Sequence, residues 1–446
     1  MMRNQYEMQK RLFNYCANTI LLMVSTIVFA VIWEQELNVL LRTPFIGKGN
    51  ILMIGVYAGL LLSMLYAFQG MKIGYYTMAN LLISRCIAYI CGHVVLAIQL
   101  VLMIGQVKYI GIIISCVLKI LIITSIINVG LTIISTKLYS KFIPPYQMLM
   151  IYGDYENNLR AKIDRRSDKY DIKEEIYIGE DESIIKDKIL KYDAVVLNDI
   201  PSKERKDILK FCFEENIRVY FVPKISDIFV KGATELKLFD TPVFLCRNMQ
   251  LSFEQRLVKR IMDILVSAIL LIIASPIMLL TWLAIKLEDG GSALYKQERC
   301  TINAKKFFVY KFRSMRMDAE KAGAQLAKEN DSRITKVGAF IRKTRIDELP
   351  QLLNILKGDM SLVGPRPERP EFVEEYSKTV PEFAYRMKVK AGLTGYAQVY
   401  GKYNTTFLDK MKMDLLYIEK YSILLDIQII FTTVKVVFMK ESTEGF

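Results

Sequence analysis

Four apolar runs near the N-terminus, a strand–helix alternation in the middle and a fifth apolar run with basic residues at both ends predict a membrane protein in three parts. They are a four-helix transmembrane region over 1–140, a Rossmann-like α/β domain over 141–249, and a mostly α domain over 250–446 carrying a re-entrant membrane helix at about 261–286. The 446 residues are 52% hydrophobic, with 60 Lys+Arg against 46 Asp+Glu. Residues 1–140 hold only 10 Lys+Arg and 3 Asp+Glu, and no carboxylate falls between Glu36 and Asp154. This composition excludes disorder, a disulfide scaffold and a purely soluble protein. The 7 cysteines lack C-x-x-C spacing, which fits a reducing compartment, and the only histidine, His93, lies in an apolar run. A zinc site or a Ser-His-Asp triad is thereby excluded, and any chemistry falls to carboxylates, Lys/Arg and a hard cation.

The first four spans are expected at about 12–33, 51–68, 81–104 and 110–134, each near the ~20 residues that cross a bilayer core. Arg3, Lys10 and Arg11 precede the first, and Lys137 and Lys141 follow the fourth, so both ends are expected in the cytoplasm. Arg85 and Lys119 interrupt apolar runs; with no acid expected to pair with them, they read as snorkelling or interhelical hydrogen bonding. His93 reads as a packing residue. The fifth run, Ile264 to Ile285, has Lys259 and Arg260 before it and Lys286 and Lys296 after it, which puts both ends on the same side. Near its centre, Ser275-Pro276 predicts a helix–break–helix, the serine hydroxyl helping to satisfy the freed carbonyls.

In the middle, Gln147–Gly153, Glu175–Gly179, Asp193–Asn198 and Arg218–Val222 read as buried strands, with a helix at Ser202–Asn216. The turn after the first strand has one glycine, Gly153, where G-x-G-x-x-G needs three. Asp154 and Glu156 also stand where a pyrophosphate would approach, so dinucleotide binding is disfavoured and a scaffold, dimerisation or regulatory role is expected.

The chemistry-bearing residues follow. Asp347-Glu348 leads into a short helix, with Arg342, Lys343 and Arg345 just upstream. Asp347 reads as an N-cap; a carboxylate there, beside guanidinium groups, is expected to keep a low pKa and stay ionised, suiting a nucleophile or a Mg²⁺ ligand. Lys311 and Arg313 alternate with apolar residues so that two cations share one strand face. Asp331 and Arg333 add a further acid and base, and Gly364-Pro365-Arg366-Pro367 is a rigid turn holding one arginine. Many fixed cations around a carboxylate pair make the electrostatic provision for phosphoryl transfer, and the adjoining membrane helix points to a lipid phosphate.

The motifs Lys259-Arg260-x-x-Asp263, Ser275-Pro276, Gln297-Glu298-Arg299, Lys311-Phe312-Arg313-Ser314-Met315, Asp347-Glu348-Leu349-Pro350-Gln351, Gly364-Pro365-Arg366-Pro367 and Asp414-x-x-Tyr417-Ile418-Glu419 occur in this order. Over about 250–446 the chain resembles the monotopic polyprenyl-phosphate phosphoglycosyl transferases of bacteria, and its upstream architecture resembles their long forms. The resemblance implies a multi-pass protein of the bacterial inner membrane whose catalytic domain faces the cytoplasm. Asp347 would attack the β-phosphate of a UDP-sugar, expel UMP and hold a covalent phosphosugar, which undecaprenyl phosphate then takes. Glu348 would bind Mg²⁺, and Lys311, Arg313, Arg333, Arg342 and Arg366 would contact phosphates or nucleotide. Lys259, Arg260 and Asp263 would anchor the re-entrant helix at the interface, and Ser275-Pro276 would break it. A homodimer through the upstream regions is implied, with exopolysaccharide, capsule or O-antigen-type assembly as the pathway and no nucleic-acid partner. Glucose or galactose is the family-level expectation for the sugar in long forms, with an N-acetylated sugar as the alternative. Two departures concern turns: Thr301 and Ala304 stand where the family has glycines, and Ala391-Gly392-Leu393-Thr394-Gly395-Tyr396 replaces Pro-Gly-x-Thr-Gly-Trp. The stretch from Ser422 to Met439, with Asp426, Gln428 and Lys435, is expected to be interfacial or packed on the core. Two other readings are a non-catalytic membrane scaffold or nucleotide-sensing regulator, and a lipid-linked sugar transporter.

Overall fold

The computed structural model describes residues 2–154, 157–246, 250–317, 331–401 and 405–437, with side chains from residue 8 to 436. Glu156 and the end of the Ser422–Met439 stretch lie outside them. The chain divides into two compact units, Met1–Pro223 and Lys224–Phe446.

The first unit opens with helices α1 (Met2–Ile32), α2 (Lys48–Ala67), α3 (Met78–Ile104) and α4 (Ile110–Phe142). All four belong to segments long and apolar enough to cross a membrane. In α3 the buried positions Leu81, Arg85, Ala88, Gly92, Leu96 and Leu100 recur every three or four residues, the stripe a helix needs to pack on neighbours. Arg85 is buried without an acid: it donates to the Gly70 carbonyl (2.8 Å), Thr132 Oγ1 (2.7 Å) and Asn18 Oδ1 (2.9 Å). Interhelical hydrogen bonding therefore accounts for it. His93 packs as expected, its Nδ1 2.7 Å from the Tyr89 carbonyl. Lys119 differs from expectation, because it forms an ion pair with Glu36. The helical path continues beyond α1 through a π-turn at Trp33–Leu37, which carries Glu36 to a residue far along the chain on α4.

Next come β1 (Tyr146–Tyr152), α5 (Leu159–Asp164), β2 (Tyr170–Tyr177), α6 (Glu182–Leu190), β3 (Ala194–Asn198), α7 (Ser202–Glu214) and β4 (Arg218–Phe221). The strands form one sheet of order β2-β1-β3-β4, parallel throughout. Met148 and Met150 of β1 face one apolar cluster, while Leu149 and Ile151 face the other. Both faces of the sheet are thus covered, as parallel sheets require. The lone Gly153 has a packing cause: a Cβ there would lie 2.9 Å from the Asp199 carbonyl oxygen.

The second unit starts at Lys224, upstream of the 249/250 boundary drawn from the sequence. Helix α8 (Ile225–Lys231) is the reason, since its Ile228 is buried in the same cluster as Leu352, Leu415 and Ile418. A hairpin of β5 (Thr234–Leu238) and β6 (Thr241–Leu245) leads to the long α9 (Phe253–Asp289). After α9 come β7 (Leu294–Cys300), β8 (Lys306–Phe312), α10 (Lys336–Lys343), α11 (Gln351–Lys357), β9 (Ser361–Val363), α12 (Pro370–Thr379), β10 (Gly392–Thr394), α13 (Tyr396–Tyr400), α14 (Phe407–Glu419) and α15 (Ile423–Val437).

The expected break in α9 is absent as a break in secondary structure: the helix is continuous with Pro276 inside it. Proline leaves the carbonyl four residues back without its donor, and the Ser275 hydroxyl bonds that same Ile272 carbonyl at 2.8 Å. Straight, a helix of this length would run about 55 Å. Val266 and Leu271 pack on the main core of the unit, and Met278 and Ile285 pack on a second cluster with Phe312 and Ile341. Between these contacts, Ile272, Ile273, Leu279 and Leu280 are each at least 60% exposed.

The start of α9 is anchored in protein. Lys259 reaches Asp426 Oδ2 at 2.6 Å, and Tyr417 donates to the other Asp426 oxygen at 2.8 Å. Arg260 donates to the Ile355 (2.6 Å) and Leu356 (2.8 Å) carbonyls in the last turn of α11. Asp263 accepts from Ser361 Oγ (3.0 Å) and the Leu362 amide (2.9 Å). Asp426 and Lys435 of α15 are buried, so its described part is packed on the core.

Candidate active site

Strand β8 and the turn before α11 bring the two carboxylates to the cations. Lys311 stands on β8 opposite Tyr295 of β7. After α10 the chain turns at Arg345, whose φ of 58° is left-handed, and Ile346–Glu348 forms a single 3₁₀ turn. Asp347 therefore lies within that turn and does not cap α11; Pro350 occupies the N-cap position. A tight 3₁₀ turn replaces the expected α-helical start because Arg345 reverses the backbone just ahead of it.

Glu348, only 13% exposed at its side chain, is held by three cations. Its Oε1 lies 3.3 Å from Arg366 and 3.6 Å from Lys311, and its Oε2 lies 3.7 Å from Arg345. Burial alone would raise its pKa, but Arg366, Lys311 and Arg345 override that and bring it down to about 2. Asp347 accepts no hydrogen bond from the described residues. Burial, then the neighbouring Glu348 charge, pushes it up to about 6 against the pull of Lys311, Arg342 and Arg345. The low pKa expected from the sequence holds for Glu348 and not for Asp347: the paired carboxylates are driven apart, Glu348 strongly ionised and Asp347 raised towards neutrality.

The Gly364–Pro367 loop fixes Arg366 through its backbone. Gly364 N–H donates to the Thr394 carbonyl (2.8 Å), and the Pro365 carbonyl accepts from Gly392 (2.9 Å). Arg386 donates to the Arg366 carbonyl (3.1 Å) while paired with buried Asp414 at 2.7 Å. A Cβ at Gly364 would meet the Lys390 carbonyl oxygen at 2.4 Å, so the close approach of the two loops requires glycine.

Of the five cations picked from sequence, Lys311 and Arg366 reach Glu348, and Arg342 lies where its charge acts on Asp347. Arg313 is paired with Asp289 at the end of α9, and Arg333 clasps Asp331 through Nε (2.9 Å) and Nη2 (2.5 Å). The sequence places Arg345 upstream of the pair and gives it no role. Its contact depends on the left-handed turn, which the sequence does not signal in a non-glycine residue. Glycine is likewise missing after β7, where Asn303 and Ala304 take φ of 56° and 57°.

Among the described residues, no three His, Cys, Asp or Glu side chains converge as a metal cage. Mg²⁺ commonly uses one or two carboxylates plus substrate phosphates, so the donor set fits an ion that arrives with a phosphate ligand.

A carboxylate pair inside a basic cage, on a unit with an uncovered apolar helix, suits a phosphate-bearing ligand at a membrane surface. The profile of the bacterial sugar transferase family matches residues 254–440. The chain is 38% identical over 263 residues to a UDP-N-acetylgalactosamine-undecaprenyl-phosphate N-acetylgalactosaminephosphotransferase of Aeromonas hydrophila, covering 56% of this chain and 59% of the relative. It is 41% identical over 211 residues to the UDP-glucose:undecaprenyl-phosphate glucose-1-phosphate transferase of Escherichia coli, covering 46% and 44%. To the transferase of the same description from Caulobacter vibrioides it is 41% identical over 181 residues, covering 40% of this chain and 68% of the relative. The chain belongs to the bacterial sugar transferase family. Its matches span about half the length of the first two of these relatives.

Proposed function

We propose that the protein transfers a sugar 1-phosphate from a UDP-sugar to undecaprenyl phosphate, releasing UMP, as the initiating step of surface-polysaccharide assembly. The observation that carries this reading is the Asp347–Glu348 pair, in which one carboxylate is free of hydrogen bonds from the described residues and the other is locked by Lys311, Arg345 and Arg366. The pair lies in the segment shared with transferases whose names carry this reaction.

In this mechanism an Asp347 oxygen attacks the β-phosphorus, the bond from phosphorus to the bridging oxygen breaks, and UMP leaves with the electron pair. The phosphosugar is held on Asp347 until an oxygen of undecaprenyl phosphate attacks the same phosphorus and frees the carboxylate. Lys311, Arg342 and Arg366 hold the phosphates in line and stabilise charge on their oxygens. Arg313 and Arg333, paired with Asp289 and Asp331, are the further candidates for phosphate or nucleotide contact. Glu348 would be the protein ligand of Mg²⁺, whose chemistry is to neutralise the diphosphate.

The finer architecture belongs to the same reading. Residues 1–140 span the membrane four times, the Rossmann-like domain of 141–249 keeps its sheet and helices before Lys224 and carries no catalytic residues, and 250–446 holds the catalytic machinery and faces the cytoplasm. Helix α9 dips into the inner leaflet and returns, which is supported by the docking of both its arms on one unit and by the bare apolar stretch between them. A homodimer through the upstream regions rests on family resemblance. Ser292→Cys in intact cells is expected to resist membrane-impermeant maleimide until the cells are opened; labelling from outside would replace the re-entrant helix by a span.

Purified protein with Mg²⁺, labelled UDP-sugar and the lipid is expected to release UMP as label enters the lipid fraction. A scaffold or transporter would do neither. A panel of UDP-sugars in the same assay identifies the sugar. The rate also carries a sign in pH: as pH falls through about 6, Asp347 gains its proton and kcat/KM should drop about tenfold per unit, while Glu348 stays ionised. A flat acid limb down to pH 5 would remove Asp347 as the titrating group.

A further inference from the structure

The β7–β8 hairpin carries one more cation with no task in this mechanism. Arg299 lies opposite Phe307, Gln297 opposite Val309 and Tyr295 opposite Lys311. Directly paired and alternate residues share a sheet face, so Arg299, Gln297 and Lys311 project from the same side. The Arg299 guanidinium is half-buried and donates through Nη2 to Gln297 Oε1 at 2.6 Å. Among the described residues, no carboxylate forms an ion pair with it.

Its strand is stitched to the loop that holds Arg366, because the Cys300 amide donates to the Glu368 carbonyl at 3.0 Å. Burial, reinforced by the charges of Arg366 and Arg369 and opposed by that of Glu368, pushes Arg299 down to about 10. Burial also holds Lys311 below its ordinary value; Arg366 and Arg299 push the same way, and Glu348 opposes them. The cations are thus close enough to repel one another. Glu348 pairs with Lys311 and Arg366, whereas Arg299 has only the charge of Glu368 nearby and no ion pair with it. Like charges gathered out of water are costly until an anion joins them.

We propose that Arg299, with Arg366 and Lys311, forms a phosphate-binding site beside the Asp347–Glu348 pair, with Gln297 orienting the Arg299 fork. The proposal rests on the transferase reading, in which two molecules present a phosphate: the departing nucleotide and the polyprenyl phosphate. The planar guanidinium suits either, since it can grip two phosphate oxygens at once.

The test uses the full chain in nanodiscs, with UMP and undecaprenyl phosphate as separate probes. Binding of each is measured by calorimetry in wild type, Arg299→Gln and Arg299→Lys, with the melting temperature recorded alongside. Arg299→Gln is expected to weaken one probe at least about tenfold, the scale of a lost charged hydrogen bond, and to leave the other within about twofold. A shift in the UMP arm assigns the site to the nucleotide, and a shift in the lipid arm assigns it to the acceptor. Arg299→Lys keeps the charge without the fork and should weaken the same probe several-fold, so it carries the test if the glutamine variant fails to fold. Wild-type affinity for both probes in either folded variant overturns the site. Because binding is read without turnover, wild-type protein that binds UMP but transfers no sugar would sink the transferase reading and leave this site standing.

Discussion

Asp347→Asn is expected to abolish UMP release, with a loss of at least about a thousandfold, the scale seen when an attacking group is removed. An amide oxygen is a poor nucleophile towards phosphorus, and among the described residues no second carboxylate is placed to substitute, because Glu348 is committed to Lys311, Arg345 and Arg366. The fold should survive, and stability should rise. The native pKa of Asp347 lies above that of an unfolded aspartate, so the folded state binds its proton more tightly. Its ionised form therefore opposes folding above about pH 6, and the penalty is relieved as pH falls through that value. The asparagine carries no such charge. At pH 7.5 the variant should melt at or above the wild-type temperature while releasing no UMP. A dead variant that also unfolds early would reduce the result to a structural defect, and substantial residual turnover would remove Asp347 as the nucleophile.

The second large effect concerns Glu348→Gln. This change deletes the negative charge faced by three cations, leaving them to repel one another. Activity should fall by at least about a hundredfold, the scale for losing one preorganised electrostatic element. In contrast to the first variant, the melting temperature should fall. The Mg²⁺ requirement should weaken as well; an unchanged Mg²⁺ titration curve would refute the ligand role of Glu348. A further consequence has a definite sign. Glu348 raises the pKa of Asp347, so its neutralisation should move any remaining acid limb to lower pH.

Much of this arrangement was legible in the sequence because it rests on local patterns. Apolar runs located the five membrane-competent helices, and short runs with Val, Ile and Tyr bounded by polar residues located the parallel sheet. The Asp347-Glu348 pair was visible as two acids amid arginines. What escaped depends on geometry that residue types do not encode. The positive φ at Arg345 changed a predicted N-cap into a 3₁₀ turn and brought Arg345 onto Glu348. Lys119 found Glu36 only because the first helical segment continues past its apolar run. Lys259, Arg260 and Asp263 looked like interface anchors, and their partners Asp426, Ile355 and Ser361 lie far away along the chain. Arg313 and Arg333 read as phosphate ligands, and each is also paired with a nearby acid, Asp289 or Asp331. Strand alternation did hold a signal for Arg299, because its pairing with Phe307 fixes it to the Lys311 face.

The central claim is that Asp347 bonds to phosphorus during turnover. Wild-type protein mixed with Mg²⁺ and UDP-sugar in the absence of lipid, then quenched and digested, should yield a peptide spanning Arg345–Leu356 heavier by one phosphosugar at Asp347. Adding undecaprenyl phosphate before the quench should discharge it into the lipid. Unmodified peptide at every quench time, while sugar-phosphate lipid accumulates in the matched reaction, would contradict the account.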